Sequence, residues 1–340
     1  MAKNKQLTYG EIAGFCDQMA TILNAGISSY EGVSALLDTE EDESTKEILK
    51  TIYEELDSGH SFTSAVEKTG VFPPYVSKMI SIGEHTGNLE TVLTSLRDYC
   101  NREEEIHDGI RRAVVYPAVM IVMMIVVMGV LVMKVLPIFN DIYSELGAGL
   151  TGFSYTMLKV SSWLSSNFIP VLVIIVAIGL VVILYIISPK GRKHIAKSKL
   201  ALTIAASRFA SCMALALNAG LDTDQGMDLA NELVENEAAS VKVKNAQALV
   251  ADGKRFEDAI IASGIFSGIY NSMVSIGAKT GALDEVMDKI AVAYDKKAAE
   301  ILNSKISKLE PILVIVLSII VGILLLSFLL PLIGIMSSIG

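Results

Sequence analysis

Charge is missing from three long stretches of this 340-residue chain, and residues that carry chemistry are scarce elsewhere. No Asp, Glu, Lys or Arg occurs from Ala113 to Met133, from Val160 to Pro189 or from Pro311 to Gly340. The 3 cysteines and 4 histidines lie too far apart for a disulfide framework or a zinc site. Cys16, Cys100 and Cys212 therefore read as structural thiols. There is no GxxxxGKS/T loop to cradle phosphates, no HExxH pair, no CxxC pair and no GxSxG elbow. These absences argue against nucleotide hydrolysis, metal catalysis and nucleophilic catalysis by this chain. No catalytic, cofactor or metal site is expected. A net charge of −9 gives nucleic acid no footing.

What is present is apolar. Hydrophobic residues make up 52% of the chain and the mean hydropathy is +0.51, high for a soluble protein. A helix needs about 20 apolar residues to cross a hydrocarbon core of roughly 30 Å. Each uncharged run supplies them, so transmembrane helices are expected at 113–136, 168–187 and 311–332. Lys134 sits where it can snorkel to an interface. The first 25 residues mix Asp and Glu with short apolar patches, so no cleavable signal peptide is expected.

Basic residues set the expected orientation. Segment 137–167 holds only Lys159, whereas Arg102, Arg111 and Arg112 precede the first span. Five more, from Lys190 to Lys199, follow the second span. Residues 1–112 and 188–310 are expected in the cytoplasm, with 137–167 and the 333–340 terminus outside.

The chain is written twice. At an offset of 194, Phe15 meets Phe209, Met19 meets Met213, and LNAG at 23–26 meets LNAG at 217–220. Gly59 meets Gly253, Phe72 meets Phe266, Pro117 meets Pro311 and Pro137 meets Pro331, without a gap. Each copy is thus a polar part followed by a span. The span at 168–187 has no counterpart and returns the chain, which places both copies on one side.

Within each copy the pattern is helical, with almost no strand alternation. Thr8–Glu11, Ser28–Glu31 and Ser44–Glu47 have capping-box spacing. Gly26, Gly59 and Gly70 stand where helices should stop. Pro73–Pro74 opens a helix to about Glu84, and a last amphipathic helix from Asn88 to about Ile110 leads toward the first span. That gives about six helices per copy. The segments SIGEHTGNLE (81–90) and SIGAKTGALD (275–284) repeat as a turn between the last two, with Gly87 and Gly281 suited to positive φ. Ala278 replaces Glu84 in the second copy, which confines any role of that acid to the first copy or makes it a surface position. EEEIHD at 103–108 reads as an acidic helix face ahead of a cation site. The fields differ: residues 1–112 hold 10 Lys and Arg against 20 Asp and Glu, residues 188–310 hold 16 against 15. Different partners are expected for the two copies.

SIGEHTGNLETVL and SIGAKTGALDEVM resemble the G-E-x-S/T-G-x-L signature of the type II secretion F domain family, and the LNAG and FPPYVSKMI stretches are similar to it as well. The resemblance covers nearly the whole chain. It assigns Gly83, Glu84, Thr86, Gly87 and Leu89, with Gly277, Thr280, Gly281 and Leu283, to a signature turn that is structural or docks a partner. It implies an all-α polytopic membrane protein with two homologous six-helix cytoplasmic bundles and three transmembrane helices. It further implies an inner-membrane platform of a type IV pilus, type II secretion or competence machine. The implied partners are a hexameric assembly ATPase, pilins or pseudopilins, other inner-membrane assembly proteins and a second copy in a homo-oligomer. The competing readings are a small transporter or channel subunit, whose sites need polar or broken helices at the midplane, and a membrane enzyme, for which no constellation speaks.

Overall fold

The computed structural model describes residues 6–130, 197–234 and 236–339, together with isolated positions between 134 and 170. The first copy holds α1 (Tyr9–Asn24), α2 (Ser29–Thr39), α3 (Glu43–Asp57), α4 (Phe62–Thr69), α5 (Pro74–Thr86) and α6 (Leu89–Val130). The second holds α7 (Lys199–Asn218), α8 (Thr223–Leu233), α9 (Glu237–Ala251), α10 (Phe256–Ser263), α11 (Ile269–Thr280) and α12 (Leu283–Ile339). No strand occurs among the described residues.

Local chemistry sets the helix ends. Thr8 and Ser28 each close a reciprocal capping box with Glu11 and Glu31. The third expected box does not form. Asp42, two residues upstream of Ser44, accepts the Thr45 N–H at 2.9 Å and starts α3 there. With Asp42 as the cap, Ser44 lies inside α3 and no longer stands at a helix start. Gly26, Gly59 and Gly70 end their helices at φ of 77°, 80° and 64°. The last helix of the first copy does not stop near Ile110: α6 runs on to Val130 with Pro117 inside it.

The chain divides into two compact units, one of residues 1–109 and 193–300, the other of 110–192 and 301–340. In the first unit one contiguous apolar core joins both copies, from Ile12 and Phe62 to Phe209 and Tyr294. The repeat is visible in its rings: Phe15 lies 5.2 Å from Phe72, and their counterparts Phe209 and Phe266 lie 5.7 Å apart. In the second unit the Tyr116 hydroxyl donates to Glu310 at 3.3 Å, so the same repeat position from each copy meets its equivalent.

Three described helices are long and apolar enough to cross a membrane. Two belong to α6 and α12, and their apolar windows are 0% buried by protein. Exposed valines and isoleucines such as Val115, Val119, Val122, Ile312 and Ile315 leave that surface suited to lipid, not water. The third, α7, passes on length and composition, yet 67% of its window is buried within the first unit. We read α7 as a core helix: lipid is not needed to cover apolar residues that protein already covers. The expected span at 168–187 and most of segment 137–167 lie outside the described residues.

Candidate functional site: the repeated turn and the seam between copies

The nine signature residues fall at equivalent places in the two copies. Gly87 and Gly281 end α5 and α11 at φ of 71° and 76°, where a side chain would be strained. The next residues then bond back: Asn88 N–H to Gly83 O at 2.9 Å, and Ala282 N–H to Gly277 O at 3.1 Å. Thr86 and Thr280 turn their hydroxyls to Ile82 O and Ile276 O at 2.9 and 3.0 Å. Gly83 and Gly277 have a second cause. A Cβ on either would stand 2.9 Å from a methyl of Val92 or Val286 on the following helix, so only glycine lets the two helices approach this closely. Leu89 packs half-buried against the core, and Leu283 is buried.

Glu84 is the exception, and it has a job that a local pattern does not reveal. Its carboxylate reaches back across 22 residues to the start of α4, where it accepts the Phe62 N–H at 2.8 Å. It also accepts the Thr63 N–H at 3.1 Å and the Thr63 hydroxyl at 2.7 Å. Partial burial would push its pKa up. The bonds from Thr63 and Phe62 outweigh that and hold the carboxyl below its ordinary value. Glu84 thus clamps α5 to the N-terminus of α4, satisfying two of the donors that a helix start leaves free.

Copy two builds the equivalent place differently, with no side-chain cap on its fourth helix. Ala278 stands for Glu84, and Glu257 stands at the position of Thr63. Glu257 is buried in the first turn of α10, where it pairs with Arg255 at 3.1 Å. The acid has moved from the fifth helix of the copy to the fourth, and the helix start keeps its negative charge. Comparing the two copies at both positions, rather than at Glu84 alone, would have exposed this exchange in the sequence.

The second cluster lies where the copies meet. Arg208 of α7 forks onto Glu103 of α6, with Nε at 3.0 and 2.9 Å and Nη2 at 2.7 Å from its oxygens. Only 2% of the Glu103 side chain and 17% of Arg208 are exposed. Burial alone would lower the Arg208 pKa, and the facing Glu103 carboxylate reverses this and raises it. Arg102 donates to Asp288 at 2.8 Å, and Lys78 reaches Glu232 at 3.4 Å. Ser207 donates to Ala291 O at 3.0 Å and to the Asp295 carboxylate. Burial pushes Asp295 up to about 6, against the opposing pull of the Ser207 bond and of Arg102.

Among the described residues no group of three His, Cys, Asp or Glu is arranged to hold a metal. The acidic run at 103–108 is dispersed: Glu103 faces Arg208, Glu104 accepts the Gly10 N–H at 2.7 Å, and the His107 ring lies 6.0 Å from Tyr9. All three cysteines are buried, which pushes Cys16 and Cys212 up and Cys100 up to about 12, away from thiolate chemistry. A groove of about 740 Å³ between α2 and α3 is lined by Leu37, Tyr53 and six charged residues of both signs, with no convergent polar set.

Comparison with known proteins fits this geometry. The family described as type II secretion system (T2SS), protein F matches twice, over residues 15–137 and 209–331. The two matches start and end at the same offset as the internal repeat, and each takes in one signature turn and one of the two long exposed apolar helices. The chain is 28% identical to the type IV pilus assembly protein PilC of Thermus thermophilus, over 97% of this chain and 84% of that one. It is 25% identical to PilC of Pseudomonas aeruginosa, covering 97% and 91%. The type II secretion system protein F of Aeromonas hydrophila is 23% identical, covering 94% and 85%. A family match on both copies, in register with the repeat, makes this chain a member of the type II secretion system protein F family.

Proposed function

We propose that this chain is a non-enzymatic inner-membrane platform that couples a cytoplasmic assembly ATPase to the polymerisation of pilins or pseudopilins. The observation that carries the reading is the double match to the protein F family in register with the repeat. Similarity to both the pilus assembly proteins and a secretion protein F supports the machine class. In this reading 1–112 and 188–310 are two six-helix cytoplasmic bundles and 113–136, 168–187 and 311–332 cross the membrane. Segment 137–167 and the C-terminus lie outside.

The proposed coupling is mechanical. α6 and α12 each run as one helix from the signature turn into an apolar stretch, so a push on the polar end is passed along the helix toward that stretch. The acidic first copy, with its exposed carboxylates at Glu43, Glu47 and Glu54 on α3, is the proposed ATPase-facing surface. The test is a flexible Gly-Ser insertion after Arg111 in the full chain, expressed in the host lacking the native copy. The insertion is expected to abolish surface filaments or secretion while the assembly ATPase still co-purifies. Normal assembly would refute the coupling, and loss of neither phenotype on deleting the whole chain would refute the platform reading.

A further inference from the structure

α6 and α12 meet at one repeat position, Tyr116 on Glu310, so their equivalent residues stand level with each other there. Charge ends at that level on both helices. The last cations before it are Arg111 and Arg112 on α6 and Lys305 and Lys308 on α12, and all four are exposed. Arg111 and Lys305 occupy the same repeat position, about 7.5 Å of helix before the Tyr116–Glu310 contact. Glu310 is the single acid in 110–130 and 301–340, and it accepts the Tyr116 hydroxyl.

Two of the cations head apolar stripes. From Arg112, steps of three and four residues lead through Val115, Val119, Val122 and Val126 along one face of α6. From Lys308 they lead through Ile312, Ile315 and Ile319 along one face of α12. These seven side chains are 50–58% exposed. Val115 to Val126 spans about 16 Å of helix, close to half of a hydrocarbon core of roughly 30 Å. Two residues turn a helix by about 200°, so Glu310 faces α6 while Lys308 and its stripe face away. Ser304 is exposed one turn before Lys308 and adds a neutral donor.

We propose that this collar binds an anionic phospholipid, with acyl chains along the Val and Ile stripes and the headgroup phosphate held by Arg111, Arg112, Lys305 and Lys308. Charge selects the lipid. A zwitterionic headgroup carries its own ammonium to four cations that already repel it, whereas phosphatidylglycerol carries a phosphate alone. Holding the headgroup fixes the depth at which both helices enter the bilayer. The inference rests on α6 and α12 crossing a membrane and not on which machine the chain serves.

The test uses the full-length chain in nanodiscs of equal phosphatidylglycerol and phosphatidylcholine. The chain is released into mild detergent, and the lipids it keeps are counted by native mass spectrometry. Recovery of the chain in the nanodiscs reads the membrane assignment separately. Wild type is expected to keep phosphatidylglycerol over phosphatidylcholine, less so as salt rises. One cation near an anionic surface is worth about fivefold, so Arg112→Gln with Lys308→Gln should cut the preference about tenfold or more. Arg112→Lys with Lys308→Arg should keep it, and so should Lys254→Gln with Lys279→Gln, two exposed lysines of the other compact unit. Equal retention of both lipids by wild type, an unchanged preference in the first pair, or its loss in either control pair would each overturn the proposal. Displacement of the lipid by inorganic phosphate beyond that by chloride of equal ionic strength would assign the cations to a free phosphate and overturn it as well.

Discussion

Replacing Glu84 by Ala separates a clamp from a docking residue. The change removes three hydrogen bonds to the start of α4, two of them from backbone donors. The Ser61 hydroxyl still accepts from Ser64 at 3.1 Å, so the helix keeps one cap. Losing a side-chain cap costs about 0.5–2 kcal/mol, and bonds to a charged group lie near the upper end, so about 2 kcal/mol is expected. For a unit built from residues 1–109 and 193–300, that lowers the melting temperature by roughly 4–8 °C.

Copy two supplies the rescue. Thr63→Glu in the Glu84→Ala background recreates the arrangement of Glu257 and Ala278, and should return about 1 kcal/mol through the charge at the helix start. The sign with pH follows from the depressed carboxyl. Its stabilisation is present above the unfolded value of about 4.3 and is lost as pH falls through the lower folded value. Wild-type and Glu84→Ala melting curves should therefore separate at neutral pH and converge in strong acid. Thermal unfolding of the full chain in detergent from pH 3 to 8 reads all of this. An unchanged melting temperature in Glu84→Ala, together with lost assembly, would refute the clamp and assign Glu84 to a partner.

Removing one member of the buried pair, by Glu103→Ala or Arg208→Ala, should cost about 3–5 kcal/mol, whereas Glu103→Leu with Arg208→Met should be neutral or stabilising; chemical unfolding of the full chain decides. Asp295 titrates near 6 in the folded chain, above the ordinary carboxylate value, so its effect on stability is most favourable below about pH 4 and declines as pH rises to about 6. Asp295→Asn, which keeps an acceptor for Ser207, should flatten that slope and add up to about 3 kcal/mol at pH 7; equal slopes in the two proteins would count against the burial. Gly87→Ala should cost about 1–2 kcal/mol for a left-handed alanine, and Gly83→Ala more, since its methyl has Val92 and the Leu89 backbone to displace. A Gly83→Ala chain melting like wild type would show that α5 and α6 are not held this close.

Much of the fold was legible because its signals are local. The positive φ at Gly26, Gly59 and Gly70, the boxes at Thr8 and Ser28, and the proline start of α5 each depend on a few neighbouring residues. What was missed is nonlocal. Glu84 finds its partners 21 and 22 residues away, and Glu103 finds Arg208 across 105. Hydropathy also fails at α7, because a helix buried on all sides by protein and one surrounded by lipid are apolar for the same reason. The distinguishing signal lay between the copies. α1 is polar where α7 carries Ala205, Cys212 and Leu215, and a helix with two apolar faces needs two neighbours.

That difference also explains how a duplicated chain avoids pairing its copies wrongly. Two copies of one fold offer each other every combination of donor and acceptor, so the correct one must be preferred and the others penalised. At the centre of the seam the acceptor residue is Glu103 in copy one and Lys297 in copy two; the donor is Arg208 in copy two and Gly14 in copy one. Copy two on copy one joins Arg208 to Glu103. Copy two on copy two would set Arg208 against Lys297, two like charges taken out of water. Copy one on copy one would bury Glu103 against Gly14 with no counter-ion, a cost of several kcal/mol. Copy one on copy two would set Lys297 against Gly14, again with no counter-ion at that point. The Glu103–Arg208 bridge thus does less for stability than for pairing.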